Sequence, residues 1–372
     1  MSLFAGGAGA LEDALALPPA SWAEESRTRI GSWLDRLAIR GMCRAFDTTL
    51  MPSGDELRAI RESTAPYLTD ALRADPRAFF AFLAAPARVP TVRTGERAAI
   101  HGGTITRHEL ASGYAPYDGT VPLTASNDWM PIEHWCHDAP APATVVAVHG
   151  FTMGDPRLDA DALMAADWFA LGLDVVLVTL PFHGARTPAT ARYSGELFAS
   201  WHVGRLNEAV RQSIHDLRNV TTWLRARRAA PIGIVGMSLG GYLASLMAAF
   251  DGELAFVIPL AAPVRLGAFP SALFAHSPWA GRTPPPFTPA ELDDAYRAHS
   301  PLTHPLVLPR ERVMIVAGRG DRIVPPDHAL DLWRHWGQPA MHWFGGSHVT
   351  PFRRAAVFAA GAEHVRQLRL VT

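Results

Sequence analysis

Short runs of β-branched and apolar residues, each followed by a helical stretch, constrain this chain more than any other feature. Thr144-Val145-Val146-Ala147-Val148 precedes a helical segment from about Leu158 to Ala170, Asp174 to Leu180 precedes one from about Arg205 to Arg227, and Ile232-Gly233-Ile234-Val235-Gly236 precedes the apolar run Tyr242 to Met247. Strands with no polar alternation are buried on both faces, and strands that alternate with helices form a parallel sheet covered by its own crossovers. Leu254 to Leu260, Arg312 to Ala317 and Met341 to Phe344 read as further strands. The expected class is α/β with a mainly parallel sheet.

Before this alternation the pattern is different. From about Ser21 to Leu83 apolar residues fall at helical spacing, with Trp22, Ile30, Trp33, Leu34 and Leu37 forming one face. Asp75-Pro76 is an N-cap and first-turn pair that opens a short helix containing Phe79, Phe80, Phe82 and Leu83. Its aromatic face is expected to pack on the main domain, since the polar face lacks the positive charge of a membrane-surface helix. A proline-containing stretch near Ala85 to Thr91 ends this regime, giving a helical N-terminal extension (1–92) and an α/β domain (93–372). Within the latter, a proline- and aromatic-rich segment at about 265–305, with Phe269, Phe274, Trp279 and Phe287 and a helix from about Pro289 to Arg297, reads as a cap inserted over a pocket.

Composition removes several classes. The 34 basic and 35 acidic side chains nearly cancel, so no global field holds a nucleic acid or an anionic membrane. Every basic residue is arginine, which excludes a lysine nucleophile or Schiff base. Cys43 and Cys136 lie far apart and near no metal-ligand spacing, so neither a disulfide framework nor a zinc site is expected. The first twenty residues carry Glu12 and Asp13 without a basic leader region, and no apolar run approaches the ~20 residues that cross a bilayer, so a cytoplasmic location is expected.

The chemistry centres on Gly236-Met237-Ser238-Leu239-Gly240. A serine hydroxyl is a weak nucleophile unless a base takes its proton and the hydroxyl projects into the site. In a strand-turn-helix the serine sits on a strained bend where bulky neighbours would clash, which suits Gly236 and Gly240, while Gly241 lets the helix approach the sheet. The apolar strand before Ser238 and the helical run after it supply the context this bend needs. A developing oxyanion calls for donors already in place. The N–H of Leu239 is one; the N–H of Phe151, in the loop His149-Gly150-Phe151-Thr152 after the first strand, is the second, with Thr152 as the fallback.

An acid and a base are then required downstream. Asp321 closes a strand that ends in a glycine turn at Gly318-Arg319-Gly320, at the carboxyl edge where such sheets bind ligands. Asp327, its rival, follows Pro325-Pro326 as a helix-start residue does. His348, in Gly345-Gly346-Ser347-His348, lies on a loop beyond the last strand. His183 and His202 precede the serine and His342 lies within the last strand, so each fits the base position less well. His183, Trp279 and Trp343 are candidates for the substrate pocket.

On these motifs the chain from about Ala143 onward resembles the α/β-hydrolase superfamily, its esterase- and lipase-like serine hydrolases in particular. The resemblance implies a sheet of about eight strands with an antiparallel second strand, for which Asp128 to His137 and Ala98 to Glu109 are the candidates. It also implies no metal or organic cofactor. The expected function is acyl transfer from a small-molecule ester through a Ser238–His348–Asp321 triad and an acyl-enzyme. A peptidase, thioesterase or acyltransferase would use the same triad; a binding protein on a retained hydrolase fold would use the N-terminal helices, through which an oligomer would also form.

Overall fold

The computed structural model describes residues 17, 19–45, 52–119, 121, 124–270, 285–350 and 354–372; for 42–45 it describes the backbone alone. Among these residues nine strands form one sheet: β1 (Val92–Ile100), β2 (Gly103–Ala111), β3 (Trp129–His137), β4 (Thr144–Val148), β5 (Asp174–Val178), β6 (Ile232–Met237), β7 (Phe256–Leu260), β8 (Met314–Gly318) and β9 (Ala340–Phe344). Their order is β1-β2-β3-β5-β4-β6-β7-β8-β9. From β5 across to β9 every pairing is parallel, whereas β1, β2 and β3 join antiparallel.

The mainly parallel sheet flanked by helices is therefore present, and the stretch 98–109 is corrected from one strand to parts of two. Gly102, with φ 76°, makes a turn there that other side chains rarely adopt, and β1 and β2 form a hairpin around it. β3 is the strand that runs antiparallel to the parallel set, pairing Ile132 with Val178 and Trp135 with Val175.

The helices among the described residues are α1 (Trp22–Ala45), α2 (Gly54–Glu62), α3 (Asp70–Ala74), α4 (Pro156–Ala162), α5 (Ala165–Ala170), α6 (Val203–Arg227), α7 (Leu239–Phe250), α8 (Pro289–Ala295), α9 (Pro326–His335) and α10 (Arg354–Gln367). The single helix expected over 158–170 is two, because Met164 takes a left-handed backbone (φ 57°) between α4 and α5. Among the described residues no helix is long and apolar enough to cross a membrane.

The two faces of the sheet carry separate cores. Val146, Val148, Val176 and Ile234 point to one with α6, α7 and the N-terminal aromatics Phe79 and Phe80; Val145, Val175, Val235 and Ile258 point to the other with Trp168 and Val357. This period-two division follows from alternate side chains leaving a strand on opposite faces. Phe79 and Phe80 are fully buried, so the segment after Asp75, a 3-10 stretch rather than an α-helix, packs on the main domain.

Buried polar groups bind the connecting segments to α6. Glu208 accepts hydrogen bonds from Tyr67 Oη (2.7 Å), Tyr114 Oη and the N–H groups of Tyr117 and Asp118 (both 3.0 Å). Arg186, wholly buried, pairs with Asp216 at 2.8 Å and donates to the carbonyls of Thr179 and Asn127. Breaking such a pair strands a charge in the interior, which costs far more than the intact pair contributes. Asp216→Ala should lower unfolding free energy by about 3–5 kcal/mol in urea titrations; a loss below about 1 kcal/mol, the worth of a surface pair, would show that Arg186 reaches water.

Candidate active site

Parallel strands deliver their following loops to one edge, and this places the residues singled out above. β6 ends at Met237 and α7 begins at Leu239, so Ser238 alone makes the turn, with φ 53° and ψ −115°. A non-glycine residue in that region is strained and persists only where its surroundings fix it. Here Ser238 N–H donates to Leu260 O (2.8 Å) and Ser238 O accepts from Tyr242 N–H (2.9 Å). The flanking glycines are required by contact. A Cβ on Gly236 would strike Gly240 O, one on Gly240 would strike Val148 O, and one on Gly241 would lie 2.9 Å from Ala262 Cβ.

His348 Nε2 lies 2.9 Å from Ser238 Oγ, and His348 Nδ1 lies 2.7 Å from Asp321 Oδ2. A carboxylate can only accept, so the proton sits on Nδ1 and Nε2 is left to accept from the serine hydroxyl. Asp321 is 1% exposed, and its other oxygen accepts from the N–H groups of Ile323 (2.9 Å) and Val324 (2.7 Å), which fixes the carboxylate plane. Burial works against an imidazolium at His348, but the carboxylates of Asp321 and Asp35 outweigh it, and the pKa stands above the ordinary histidine value. Burial raises the Asp321 carboxyl, and the adjoining His348 opposes that rise.

The loop after β4 approaches from the other side. An atom in the Cβ position of Gly150 would be 3.5 Å from Ser238 Cβ, so this backbone runs directly beside the serine. His149 is fully buried: its Nε2 accepts from Leu180 N–H (3.1 Å), which leaves Nδ1–H to donate to Gly150 O (2.8 Å). Burial holds its pKa at about 4, keeping it neutral. In a trans peptide the N–H points opposite to the carbonyl, so the bond to Gly150 O aims Phe151 N–H away from His149. Leu239, the first residue of α7, has an N–H without an intrahelical acceptor. Thr152, with φ 66°, makes the turn that follows.

The remaining candidates fall in different places. His183 is fully buried beneath this loop, its ring against those of His149 (5.1 Å), Phe151 (5.9 Å) and Phe198 (5.4 Å), with Nδ1 donating to Pro181 O. Trp343 is half-buried on β9 and packs against the larger core. Trp279 and Phe274 lie outside the described residues. Phe287 is buried in the core, and α8 begins with a capping box between Thr288 and Glu291. Arg61 and Arg73 of the N-terminal segment pair with Glu291 (3.1 Å) and Asp294 (2.7 Å) of α8. Asp327 sits in the first turn of α9 paired with Arg265, as its place after two prolines suggests.

A residue that the sequence did not single out is Asp35 of α1, which is fully buried. Its carboxylate accepts from the N–H groups of Arg322 (2.8 Å), His348 (3.0 Å) and Val349 (3.1 Å). The spacing groups Trp22, Ile30, Trp33, Leu34 and Leu37 on one face of this helix, of which Leu34 is half-buried. Trp22, Ile30, Trp33 and Leu37 are exposed, and Thr28, Gly31, Ser32, Asp35 and Ile39 are buried instead. Helical spacing carried the signal, since 28, 31, 32, 35 and 39 share a face, but the surface they meet is loop backbone, which small and polar residues match better than large apolar ones. Among the described residues, His134, Cys136 and Asp174 bring possible metal-ligand atoms within 4.8 Å of one another. They lie at the amino end of β5, the opposite edge from Ser238, and Asp174 already accepts from His137 N–H and Nδ1.

Known proteins resemble the chain over parts of its length. The family model described as "Alpha/beta hydrolase domain containing 18" matches residues 132–273. Uncharacterized protein Rv2627c of Mycobacterium tuberculosis (strain H37Rv) is 33% identical over 229 residues, 59% of this chain and 53% of that protein. Uncharacterized protein MT2702 of strain CDC 1551 matches to the same extent, so the chain spans about half the length of these curated relatives. Acetyl xylan esterase 1 from Thermoanaerobacterium sp. superposes with a TM-score of 0.57 at 13% identity, over 80% of this chain and 94% of that one. Acetyl xylan esterase from Paenibacillus sp. R4 gives 0.55 at 13% identity, over 89% and 99%. At this identity the likeness is one of fold.

The glycine contacts yield a test that is independent of any activity. Gly240→Ala forces a Cβ into the carbonyl of Val148, a rigid strand atom, and should cost more than the ~1–3 kcal/mol of ordinary overpacking. Gly119→Ala, at an exposed position with open space around the added atom, should change chemical denaturation little.

Proposed function

We propose that this chain, whose residues 132–273 match an α/β-hydrolase family model, is a serine hydrolase of that superfamily cleaving carboxylic esters through an acyl-enzyme on Ser238. The observation that carries this reading is the continuous hydrogen-bonded line from Ser238 Oγ through His348 to the buried Asp321. His348 Nε2 takes the hydroxyl proton as Oγ attacks the acyl carbonyl, and Asp321 stabilises the imidazolium that forms. The N–H groups of Leu239 and Phe151 receive the oxyanion, the second aimed by the His149–Gly150 bond. As the intermediate collapses, His348 returns its proton to the leaving alkoxide; water, deprotonated by the same nitrogen, then releases the acid and restores Ser238. The two fold neighbours described above are themselves named as esterases.

Ser238→Ala should abolish hydrolysis of short p-nitrophenyl esters, with kcat falling on the order of 10⁶-fold if the three residues act as a unit. A variant that retains the parental rate would overturn the assignment. The pH dependence follows from His348, which must be neutral to accept the proton. Since its pKa is raised in the folded protein, kcat/KM should climb with pH through an inflection above the ordinary histidine value of about 6.5. An inflection below that value would mean that Asp321 is not ionised beside it.

A further inference from the structure

We propose that Asp35 is a positioning residue for this hydrolase, its carboxylate holding the acid loop and the base loop in a single frame; the proposal rests on the serine-hydrolase reading above. Asp35 touches no reacting atom. It reaches the chemistry through backbone, accepting from Arg322, the residue after Asp321, and from His348 and Val349. The donors come from two loops on different strands, 287 to 314 residues along the chain from their acceptor.

The rest of the buried face of α1 serves the same two loops. Ser32 Oγ donates to the carbonyl of Gly320 at 2.8 Å, so the residues on both sides of Asp321 are tied to this helix. Gly31 allows the close approach on the other side, since a Cβ there would lie 2.9 Å from Ser347 Cβ and Ser347 N. A Cβ on Gly320 would meet Thr28 O at 2.5 Å and Gly346 O at 2.6 Å, which shows how tightly helix and loops are layered. Between the loops themselves the backbone provides Gly320 N–H to Gly346 O (2.8 Å) and Arg319 N–H to Phe344 O (3.1 Å). Both lie before Asp321 and His348, whose own side-chain bond joins the loops at 2.7 Å; to these the Asp35 carboxylate adds a backbone clamp at and beyond the two residues.

A carboxylate is the side chain this junction calls for. Three N–H donors converge on two oxygens, and only an ionised acid accepts at both. An amide of the same shape would turn an NH₂ toward at least one donor. The consequence for catalysis is geometric first, because a misplacement of about 1 Å can cost 10²-fold in rate. It is also electrostatic. His348 is faced by Asp321 from the acid loop and by Asp35 from α1; Arg319 and Arg322 flank Asp321, and Glu24 of α1 lies beside Gly345. Asp35 acts in the same direction as Asp321, favouring the imidazolium that forms when Ser238 gives up its proton.

The test uses the full chain with Asp35→Asn, Gly31→Ala and, as a control on the exposed face of α1, Arg29→Ala. For each, near-ultraviolet circular dichroism reports folding, p-nitrophenyl ester hydrolysis across pH gives kcat and KM, and a fluorophosphonate probe reports the labelling rate of Ser238. Asp35→Asn should lower kcat and labelling about 10- to 100-fold with KM within about twofold, and move the acid inflection of kcat/KM to lower pH. Gly31→Ala should lower kcat while leaving the inflection in place, since the carboxylate remains. Arg29→Ala should change neither. A folded Asp35→Asn with parental kcat and inflection overturns the proposal; if that variant does not fold, Gly31→Ala at the parental kcat does so. A wild-type chain that neither hydrolyses nor labels removes the hydrolase reading itself, which no variant-specific result resembles.

Discussion

The left-handed turn at Ser238 is the constraint around which the site is arranged. A strained residue stays in such a region only if neighbouring atoms leave it nowhere else to go, and here they are backbone atoms: Leu260 O on one side, Tyr242 N–H on the other. The turn requires α7 to start immediately after β6 and to press on the sheet, which removes all space for a Cβ at Gly236 and Gly240. The same approach brings Val148 O against Gly240, so the loop leaving β4 must pass beside the serine. Ser238 and the loop His149–Thr152 are thus placed by a single packing event.

Around this point the protein uses buried, neutral or paired polar groups as fasteners. His149 is held neutral by burial and directs both of its nitrogens to backbone, setting the orientation of the Gly150–Phe151 peptide. Arg186 and Asp216 tie the segment after β5 to α6, and Glu208 gathers four donors from segments on either side of the β1–β2 hairpin. Each group is costly if left unpaired and specific when satisfied, because a donor or acceptor in the interior has few alternative partners. The site's rigidity therefore derives from polar satisfaction as much as from apolar burial.

The N-terminal helix belongs to this fastening system. Its buried face carries Thr28, Gly31, Ser32 and Asp35, and its exposed face carries tryptophans. This inverts the usual rule because the helix docks on loop backbone at the carboxyl edge of the sheet, where carbonyls and N–H groups need partners more than they need apolar cover.

The sequence by itself determined the parallel core, the strand-turn-helix at Ser238, and the positions of Ser238, Asp321 and His348 on loops that follow strands, since each is encoded locally. A run of β-branched residues makes a strand, glycines two residues either side of a serine permit the bend, and a glycine turn after a strand carries a side chain to the sheet's edge. Tertiary structure alone decided that 98–109 is split between two strands, that the extension's small residues face inward, and that Asp35 meets the loops of Asp321 and His348. The reason is physical. A hydrogen bond between residues some three hundred positions apart leaves no periodicity in the chain, and one aspartate on a helix reads as a solvated charge until the fold places three N–H donors around it.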